Sequence, residues 1–395
     1  MVVTLSACTK QSDPSEFTVE YTYKSYSTSL GTGWNPHTWQ TSGESSILGY
    51  ITTPWVSMSI EDSENCVYQW TFLAATEITD VTAQHQDLLT KYAVNLPEGV
   101  SDASQVTEQF VYQIKLNKDL KWQNGEKINA DTYVDSLKKL LDPTMQNYRA
   151  NLTYAGDYAL AGAHGYFFST QEGYYVPFSS KYASAADAIA AGDAPLVDVW
   201  YFWGAEGYTD AEGNDCPQYL PINDETVYGE AVGDAFTCAD IWAAYGASYL
   251  DAGCDYEAVV WEENETMGVG FETVGFEKVD DYTVLWVSEN QIDYNTFLYS
   301  QTSNWLVYAP MYEAGYDTTG ELVTTDYCTT AENTMSYGPY VMTSYEADKQ
   351  IVYTKNPYYY AFKKDSKTGR LVGTTDWLVD GKQVELYMTD RVIID

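Results

Sequence analysis

The side chains most often used in catalysis are scarce or unpatterned in this chain. It has three histidines, His37, His85 and His164, and none of them lies in a His-Glu-x-x-His metal motif. No Gly-x-Ser-x-Gly nucleophile turn and no Gly-x-x-x-x-Gly-Lys phosphate loop occurs. Carboxylate pairs are numerous, but 57 acidic residues produce pairs by chance. The sequence therefore predicts no catalytic residue, no cofactor and no enzymatic activity.

One acidic run, Asp210–Asp215, begins like a calcium-binding loop. Its oxygen-bearing residues alternate as calcium ligands do, but the twelfth position is Pro221. A calcium loop of this kind needs a bidentate glutamate there. The run is therefore predicted to form a solvated turn, and no metal site is expected.

A cysteine near the start of the chain suggests a lipid anchor. Leu5-Ser6-Ala7-Cys8 matches the bacterial lipobox, in which the cysteine thiol carries a diacylglycerol, and the polar run Thr9–Glu16 is typical of a tether. Only seven residues precede Cys8, which is shorter than the apolar region of a signal peptide. We predict lipidation at Cys8 and a location on the extracellular face of a bacterial cell membrane, with the lipid as the only membrane contact.

The other cysteines are Cys66, Cys216, Cys238, Cys254 and Cys328. The middle three are separated by 22 and 16 residues, which lacks the Cys-x-x-Cys pairs of a zinc site. Outside the membrane, a disulfide within this group is expected. Its connectivity stays open.

Composition excludes several classes of partner. The net charge of −37 repels nucleic acid and anionic membranes. An aromatic content of 15% excludes disorder for most of the chain. Residues 151–270 hold 20 acidic residues, one lysine and no arginine. They are expected to form a loop-rich, acidic elaboration with short helices such as Ala183–Ala191.

The most regular stretch predicts a strand, a turn and a helix. From Phe110 to Asn117 apolar and polar residues alternate, as in a half-buried strand. Asn124-Gly125 after Trp122 is a turn dipeptide. From Asp131 apolar residues follow helical spacing until Asp142-Pro143, which ends the element.

Three later segments also combine a predicted strand with a turn motif. Val274–Val287 predicts a hairpin whose turn is Asp280-Asp281. Gly338-Pro339-Tyr340 precedes one predicted strand, and Lys355-Asn356-Pro357-Tyr358 follows the next. Each mark alone is a common turn.

Together, in this order, the marks resemble the oligopeptide- and nickel-binding family (family 5) of extracytoplasmic solute-binding proteins of ABC importers. The resemblance implies an α/β fold of the periplasmic-binding-protein type II, with two lobes of mixed sheets. Lobe I would comprise residues 17–48 and 274–395, lobe II residues 49–273, and residues 1–16 the lipobox and tether. The family's third lobe has no counterpart after the last predicted strand, Val384–Met388, so a truncated chain is expected.

The resemblance also implies candidate ligand-binding residues. Gly43, Glu44, Ser45 and Ser46 match a first-lobe loop that meets the peptide backbone in this family. The same run could serve only as the N-terminal cap of a helix. Trp34, Trp39 and Tyr148 could line an aromatic wall, although a role in the core is favoured for each.

The function implied is that of a monomeric lipoprotein that captures oligopeptides and passes them to an ABC permease complex. The alternative is a secreted carbohydrate-binding or glycoside-hydrolase protein, since acidic, Tyr- and Trp-rich surfaces suit sugar stacking. That alternative requires a cleft with two carboxylates ~5–9.5 Å apart.

Overall fold

The computed structural model describes residues 21–229, 235–243, 258–373, 378–383 and 385–395. Cys8, Cys254 and the predicted tether lie outside these ranges. The predicted α/β class is confirmed, because helices and several β-sheets alternate along the described chain. None of the helices in these ranges is long and apolar enough to cross a membrane.

Most helices and strands in the described ranges are short. The helices are α1 Ser42–Ile51, α2 Gln86–Lys91, α3 Ala130–Leu140, α4 Asn151–Tyr154, α5 Ala163–Phe167, α6 Ala185–Ala190, α7 Val199–Trp203, α8 Tyr294–Ser300 and α9 Ala309–Ala314. The strands are β1 Thr22–Ser25, β2 Val56–Asp62, β3 Val67–Phe72, β4 Ala75–Asp80, β5 Val111–Leu116, β6 Gly173–Pro177, β7 Leu196–Asp198, β8 Tyr219–Pro221, β9 Val259–Glu263, β10 Phe276–Asp280, β11 Thr283–Val287, β12 Tyr316–Asp317, β13 Thr324–Thr325, β14 Tyr340–Glu346, β15 Gln350–Lys355, β16 Phe362–Lys364, β17 Leu371–Gly373, β18 Leu378–Val379, β19 Lys382–Gln383 and β20 Arg391–Ile394.

The chain forms two compact units. Unit 1 consists of Met1–Phe167 with Val269–Asp395, and unit 2 consists of Phe168–Gly268. Unit 2 coincides with most of the acidic stretch predicted as an elaboration. The division into two lobes at residues 48 and 273 stays a prediction.

One antiparallel sheet of unit 1 has the strand order β10-β11-β5-β4. The predicted strand and hairpin are both confirmed in it, and they pair so that Tyr112 lies opposite Trp286. Val111 departs from the predicted alternation, because it is buried although the period of two places it on the same face as Gln113 and Lys115. The sheet pairs segments from both sides of the predicted lobe boundary at 273.

The helix that follows the turn is α3, and its ends show why it forms there. Asn129 caps its start by accepting a hydrogen bond from the Thr132 amide at 3.2 Å. Lys138 and Lys139 lie in the last turn, where positive charge is favoured. The predicted helix is therefore confirmed, with its start one residue earlier than the periodicity indicates.

A second sheet of unit 1 has the order β1-β20-β15-β14. It shows that the last strand of the described chain is not the predicted one. The prediction of a final strand at Val384–Met388 is wrong for the described part, residues 385–388, where Leu386 forms only an isolated bridge with Gly373. Tyr387 has a positive φ of 52°, which interrupts an extended strand. The final strand is β20, which lies between β1 and β15 and so is not at a sheet edge.

A part-buried ionic network joins this sheet to the β16–β17 hairpin. Asp390 lies 3.1 Å from Lys355 Nζ and 3.0 Å from Arg370 Nη2, and it accepts a hydrogen bond from the Tyr21 amide at 3.0 Å. Burial alone would raise the pKa of Asp390, but the hydrogen bonds from Arg370, Tyr21 and Lys355 lower it overall.

Replacing Asp390 with asparagine should destabilise the protein by about 2 kcal/mol. The substitution leaves the Lys355 ammonium, whose side chain is 5% exposed, without its counter-charge. Urea unfolding would measure this, with Glu77→Gln as the matched control. Glu77 pairs with Lys115 at a half-exposed site, so the control should cost less than about 1 kcal/mol. Equal losses in the two variants would contradict the prediction.

Unit 2 has its own four-stranded sheet, in the order β6-β9-β7-β8, and its own core. It is therefore more regular than the loop-rich elaboration expected, although the predicted helix is confirmed as α6. Cys216 and Cys238 are free thiols buried in this core, so no disulfide joins them. Burial raises the pKa of Cys216 to about 11 and that of Cys238 to about 12.

The acidic run at Asp210 forms a turn of unit 2. The Asp210 carboxylate accepts hydrogen bonds from the amides of Glu212 and Asn214 at 3.0 and 2.8 Å and from the Asn214 side chain at 2.9 Å. These bonds hold the pKa of Asp210 below its usual value. The carboxylate thus closes the turn that was predicted at this position.

Candidate functional site

The predicted ligand-binding loop forms the start of α1. Thr41 is the N-cap, and its hydroxyl accepts a hydrogen bond from the Glu44 amide at 3.3 Å. The Glu44 carboxylate accepts hydrogen bonds from the amides of Gln40 and Thr41 at 2.8 and 3.0 Å. This reciprocal capping box occupies the Glu44 carboxylate with its own helix.

The other three residues predicted for this loop, Gly43, Ser45 and Ser46, differ in their surroundings. Gly43 packs closely, since a Cβ there would lie 3.2 Å from the Ser29 carbonyl oxygen. The Ser46 hydroxyl donates to the Ser42 carbonyl at 2.7 Å, inside the helix. Ser45 lines a cavity of about 310 Å³, whereas Glu44 lines a separate one of about 300 Å³.

We name the 310 Å³ space the Arg149 cavity, after the one charged residue among the described residues that line it. Its apolar walls include Trp39, Trp286 and Trp305. Its polar wall is the segment Ser300–Asn304, which begins at the last residue of α8. The volume suits a small solute or one or two residues of a larger ligand.

Arg149 is held in place from two directions. Its amide donates to the His37 carbonyl at 2.9 Å, and its Nε donates to the Trp39 carbonyl at 2.7 Å. The guanidinium carbon lies 3.4 Å from the centre of the Trp39 ring and 5.0 Å from that of Tyr148. Stacking of this kind fixes the guanidinium plane while leaving its edge available for an acceptor.

The three aromatic residues considered for a ligand-facing wall have different environments. Trp34 is fully buried, and its Nε1 donates to the Thr334 hydroxyl at 2.9 Å, so it belongs to the core. Trp39 lines the Arg149 cavity. Tyr148 is 55% exposed, and its ring contacts the Arg149 guanidinium.

His37 is fully buried and contacts two residues that line the cavity, Arg149 and Trp305. Its Nε2 lies 2.8 Å from the Trp305 carbonyl, which can only accept, so Nε2 carries the proton. Its Nδ1 lies 3.1 Å from the Tyr312 hydroxyl, which can donate to it. Burial lowers the pKa of His37 to about 3, opposed by the Trp305 hydrogen bond and assisted by the charge of Lys139. His37 is therefore a neutral structural residue.

Two of the sequence marks meet beside α1. Trp122 packs edge-on against Tyr337 with ring centres 5.2 Å apart. Gln123 exchanges two hydrogen bonds with Ser336, at 2.8 Å from its amide and 2.9 Å to its side-chain oxygen. The Trp-x-Asn-Gly turn thus contacts the two residues that directly precede the Gly-Pro-Tyr segment, some 200 residues away in sequence.

The third mark joins the same place. The buried Asn356 donates from its side chain to the Gly338 carbonyl at 3.0 Å and from its amide to the Pro339 carbonyl at 2.9 Å. The amide of Gly338 donates in turn to the Ile51 carbonyl, at the end of α1, at 2.8 Å. Three separated marks therefore fix the end of the helix whose beginning carries Ser45.

Sequence reasoning missed Arg149 and the Ser300–Asn304 segment. The only available signal for Arg149 was rarity, because the chain has three arginines. No motif surrounds it. Among the described residues, no group of three His, Cys, Asp or Glu side chains is placed to hold a metal ion.

Comparison with known proteins gives similarity at the level of solved structures. No protein-family model matches the chain, and no curated protein matches its sequence. The peptide-bound OppA of Listeria monocytogenes is 13% identical, with a TM-score of 0.41. The substrate-binding domain of an oligopeptide ABC transporter from Bacillus anthracis is 13% identical, with a TM-score of 0.45, and the pheromone receptor PrgZ is 11% identical, with a TM-score of 0.46.

Each of these matches covers 95% of this chain but only 42% or 43% of the other one. The chain therefore spans less than half the length of the structures it resembles.

Proposed function

We propose that this protein is an extracellular substrate-binding lipoprotein that captures oligopeptides and delivers them to the permease of an ABC importer. The observation that carries the proposal is the convergence of the Trp-x-Asn-Gly, Gly-Pro-Tyr and Asn-Pro marks on α1. In this order the marks resemble those of the oligopeptide-binding family. Their mutual contacts give each of them a structural reason to occur together.

The proposed binding region is the start of α1 together with the Arg149 cavity. An extended peptide would gain affinity from main-chain hydrogen bonds and place side chains in pockets. Ser45 and the Ser300–Asn304 segment offer hydroxyl and amide groups for such bonds, and the tryptophan walls accept apolar parts. The protein acts as a monomer, and a two-lobed arrangement would close around the ligand.

Catalysis is not part of the proposal. A glycoside hydrolase needs two carboxylates at the reacting bond. None of the described residues that line the Arg149 cavity is an aspartate or a glutamate. The described lining of this cavity therefore does not supply the carboxylate pair that the glycoside-hydrolase alternative requires.

Analysis of bound material tests the proposed function. The 395-residue chain is purified without denaturation, and the material released by acid is examined by mass spectrometry. Intact peptides are expected, and titration calorimetry with a mixed pool of tri- to pentapeptides should show saturable binding. Hydrolysis of oligosaccharides, or recovery of glycans with no peptide binding, would reject the proposal.

The lipid anchor and the delivery step need separate tests in cells. Growth with a labelled fatty acid should label the wild-type protein, and Cys8→Ala should remove the label. Deletion of the gene should lower uptake of the peptides that bind in vitro. Unchanged uptake would reject the role in import, although peptide binding itself would stand.

A further inference from the structure

The Arg149 cavity is electrostatically unlike the rest of the molecule. Acidic residues outnumber basic ones by 57 to 20 in the chain. Of the 17 described residues that line the cavity, none is acidic and one is basic. A random sample of this size from the chain would include about two or three carboxylates. The residues that line the cavity therefore carry a net positive charge, in a protein whose net charge is −37.

No ion pair within the described ranges neutralises the positive charge of Arg149. Ten ion pairs occur among the described residues, and Arg149 is in none of them, whereas Arg370 is bound to Asp390. An arginine held rigidly by backbone carbonyls and an aromatic face, yet without a carboxylate, is prepared to receive one.

We infer that the Arg149 cavity binds a carboxylate group of the ligand, with the guanidinium of Arg149 as its partner. This inference rests on the proposed peptide-binding function and adds the ligand class to it. The carboxylate belongs either to an acidic side chain or to the C-terminus of the peptide. The hydroxyls of Ser45 and Ser303 line the same cavity and can donate to the carboxylate, whereas those of Ser300 and Thr302 already donate to backbone carbonyls.

Four peptides distinguish the two sources of carboxylate. They are Ala-Ala-Glu-Ala-Ala and Ala-Ala-Gln-Ala-Ala, each with a free or an amidated C-terminus, and each is titrated calorimetrically into the 395-residue chain. Because a charge-assisted pair in a partly enclosed site is strong, the peptide with the recognised carboxylate should bind with an affinity about tenfold or more above that of its uncharged counterpart. A preference for Glu over Gln indicates the side chain, and a preference for free over amidated peptide indicates the C-terminus.

Variants then assign the preference to one residue. Arg149→Gln should reduce the ratio of affinities to about one, and Arg149→Lys should retain part of it. Arg391→Gln is the matched control, since it makes the same charge change on β20 and outside the cavity. It should leave the ratio unchanged. Circular dichroism checks that each variant is folded, and the comparison of peptides on the wild-type protein needs no variant at all.

Failure of the inference and failure of the proposed function give different results. If the four peptides bind equally well, or if the preference survives Arg149→Gln, the inference is wrong and peptide binding stands. Glutarate serves as a non-peptide probe of the same chemistry. If it binds in an Arg149-dependent manner while no peptide binds, the carboxylate site stands and the peptide function is wrong. If no probe binds, both are wrong.

Discussion

Replacing Gly338 with alanine is expected to lower the free energy of unfolding by about 3 kcal/mol or more. A Cβ on Gly338 would lie 2.5 Å from the Ile51 carbonyl carbon and 2.5 Å from the Thr52 nitrogen. Both are backbone atoms at the end of α1, so no side-chain rotation can relieve the contact. Overpacking of this kind costs about 1–3 kcal/mol even where side chains yield.

The neighbouring hydrogen bonds add to the cost. Gly338 is held between the Ile51 carbonyl, which accepts from its amide, and Asn356, which donates to its carbonyl. A movement of the Gly338 segment away from α1 would break its hydrogen bond to Ile51. The same movement would strain its hydrogen bond with Asn356. The Gly338 amide would keep only its longer hydrogen bond to the Ser336 hydroxyl, at 3.2 Å, and the loss of the bond to Ile51 costs about 1 kcal/mol more.

Gly49→Ala is the matched control for this substitution. Gly49 lies within α1, and nothing lies within 4 Å of a Cβ placed there. Alanine is favoured over glycine inside a helix by up to about 1 kcal/mol, so this variant should be neutral or more stable. Urea unfolding of both variants measures the difference. A Gly338→Ala protein as stable as Gly49→Ala would mean that the three marks do not meet as described.

Local sequence signals predicted the elements around these marks. The alternation of β5, the turn at Gly125 and the capped α3 depend on residues close in sequence, so periodicity and turn chemistry were sufficient. The partners of these elements could not be predicted in the same way. β20 lies between β15 and β1, and it pairs with β1 across more than 350 residues of sequence, a register that no local pattern encodes.

The candidate site was predicted only in part for the same reason. The loop at Gly43–Ser46 followed from a resemblance, but the sequence left open whether Glu44 faces a ligand or caps its helix. The capping bonds at Thr41 give that carboxylate an intramolecular role. Arg149 is a candidate because it stacks on Trp39 and lines a cavity together with Ser300–Asn304. These residues are distant in sequence and meet only in the folded chain.

His37 should make the protein strongly sensitive to mild acid. Its pKa is about 3 in the folded protein, against 6.5 for an unperturbed histidine. Between these values the unfolded chain binds a proton that the folded imidazole does not. The free energy of unfolding therefore falls as the pH falls, by about 1.4 kcal/mol for each pH unit. The total from pH 6.5 to pH 3 is about 5 kcal/mol.

The physical reason lies in the surroundings of the ring. His37 is fully buried, so its protonated form would lose hydration, and Lys139 adds repulsion. The neutral ring donates from Nε2 to the Trp305 carbonyl and can accept from Tyr312 at Nδ1. Above pH 6.5 neither state is protonated at this residue, and the acid-dependent loss disappears.

Two variants separate the proton from the packing. His37→Gln can keep a donor for Trp305 but cannot ionise, so its stability at pH 7 should be lower while its pH dependence between about 6.5 and 4.5 loses the slope of one proton. Tyr312→Phe removes a hydrogen-bonding hydroxyl and keeps the histidine, so the slope should persist.

Unfolding by urea at four pH values in this window gives the slopes, and subtracting each variant from the wild type cancels the contribution of the carboxylates. The wild type and His37→Gln should differ in slope by about 1.4 kcal/mol per pH unit. Identical slopes would show that His37 is protonated to the same extent in the folded and unfolded chains. The ring would then not be buried in its contacts with Trp305 and Tyr312.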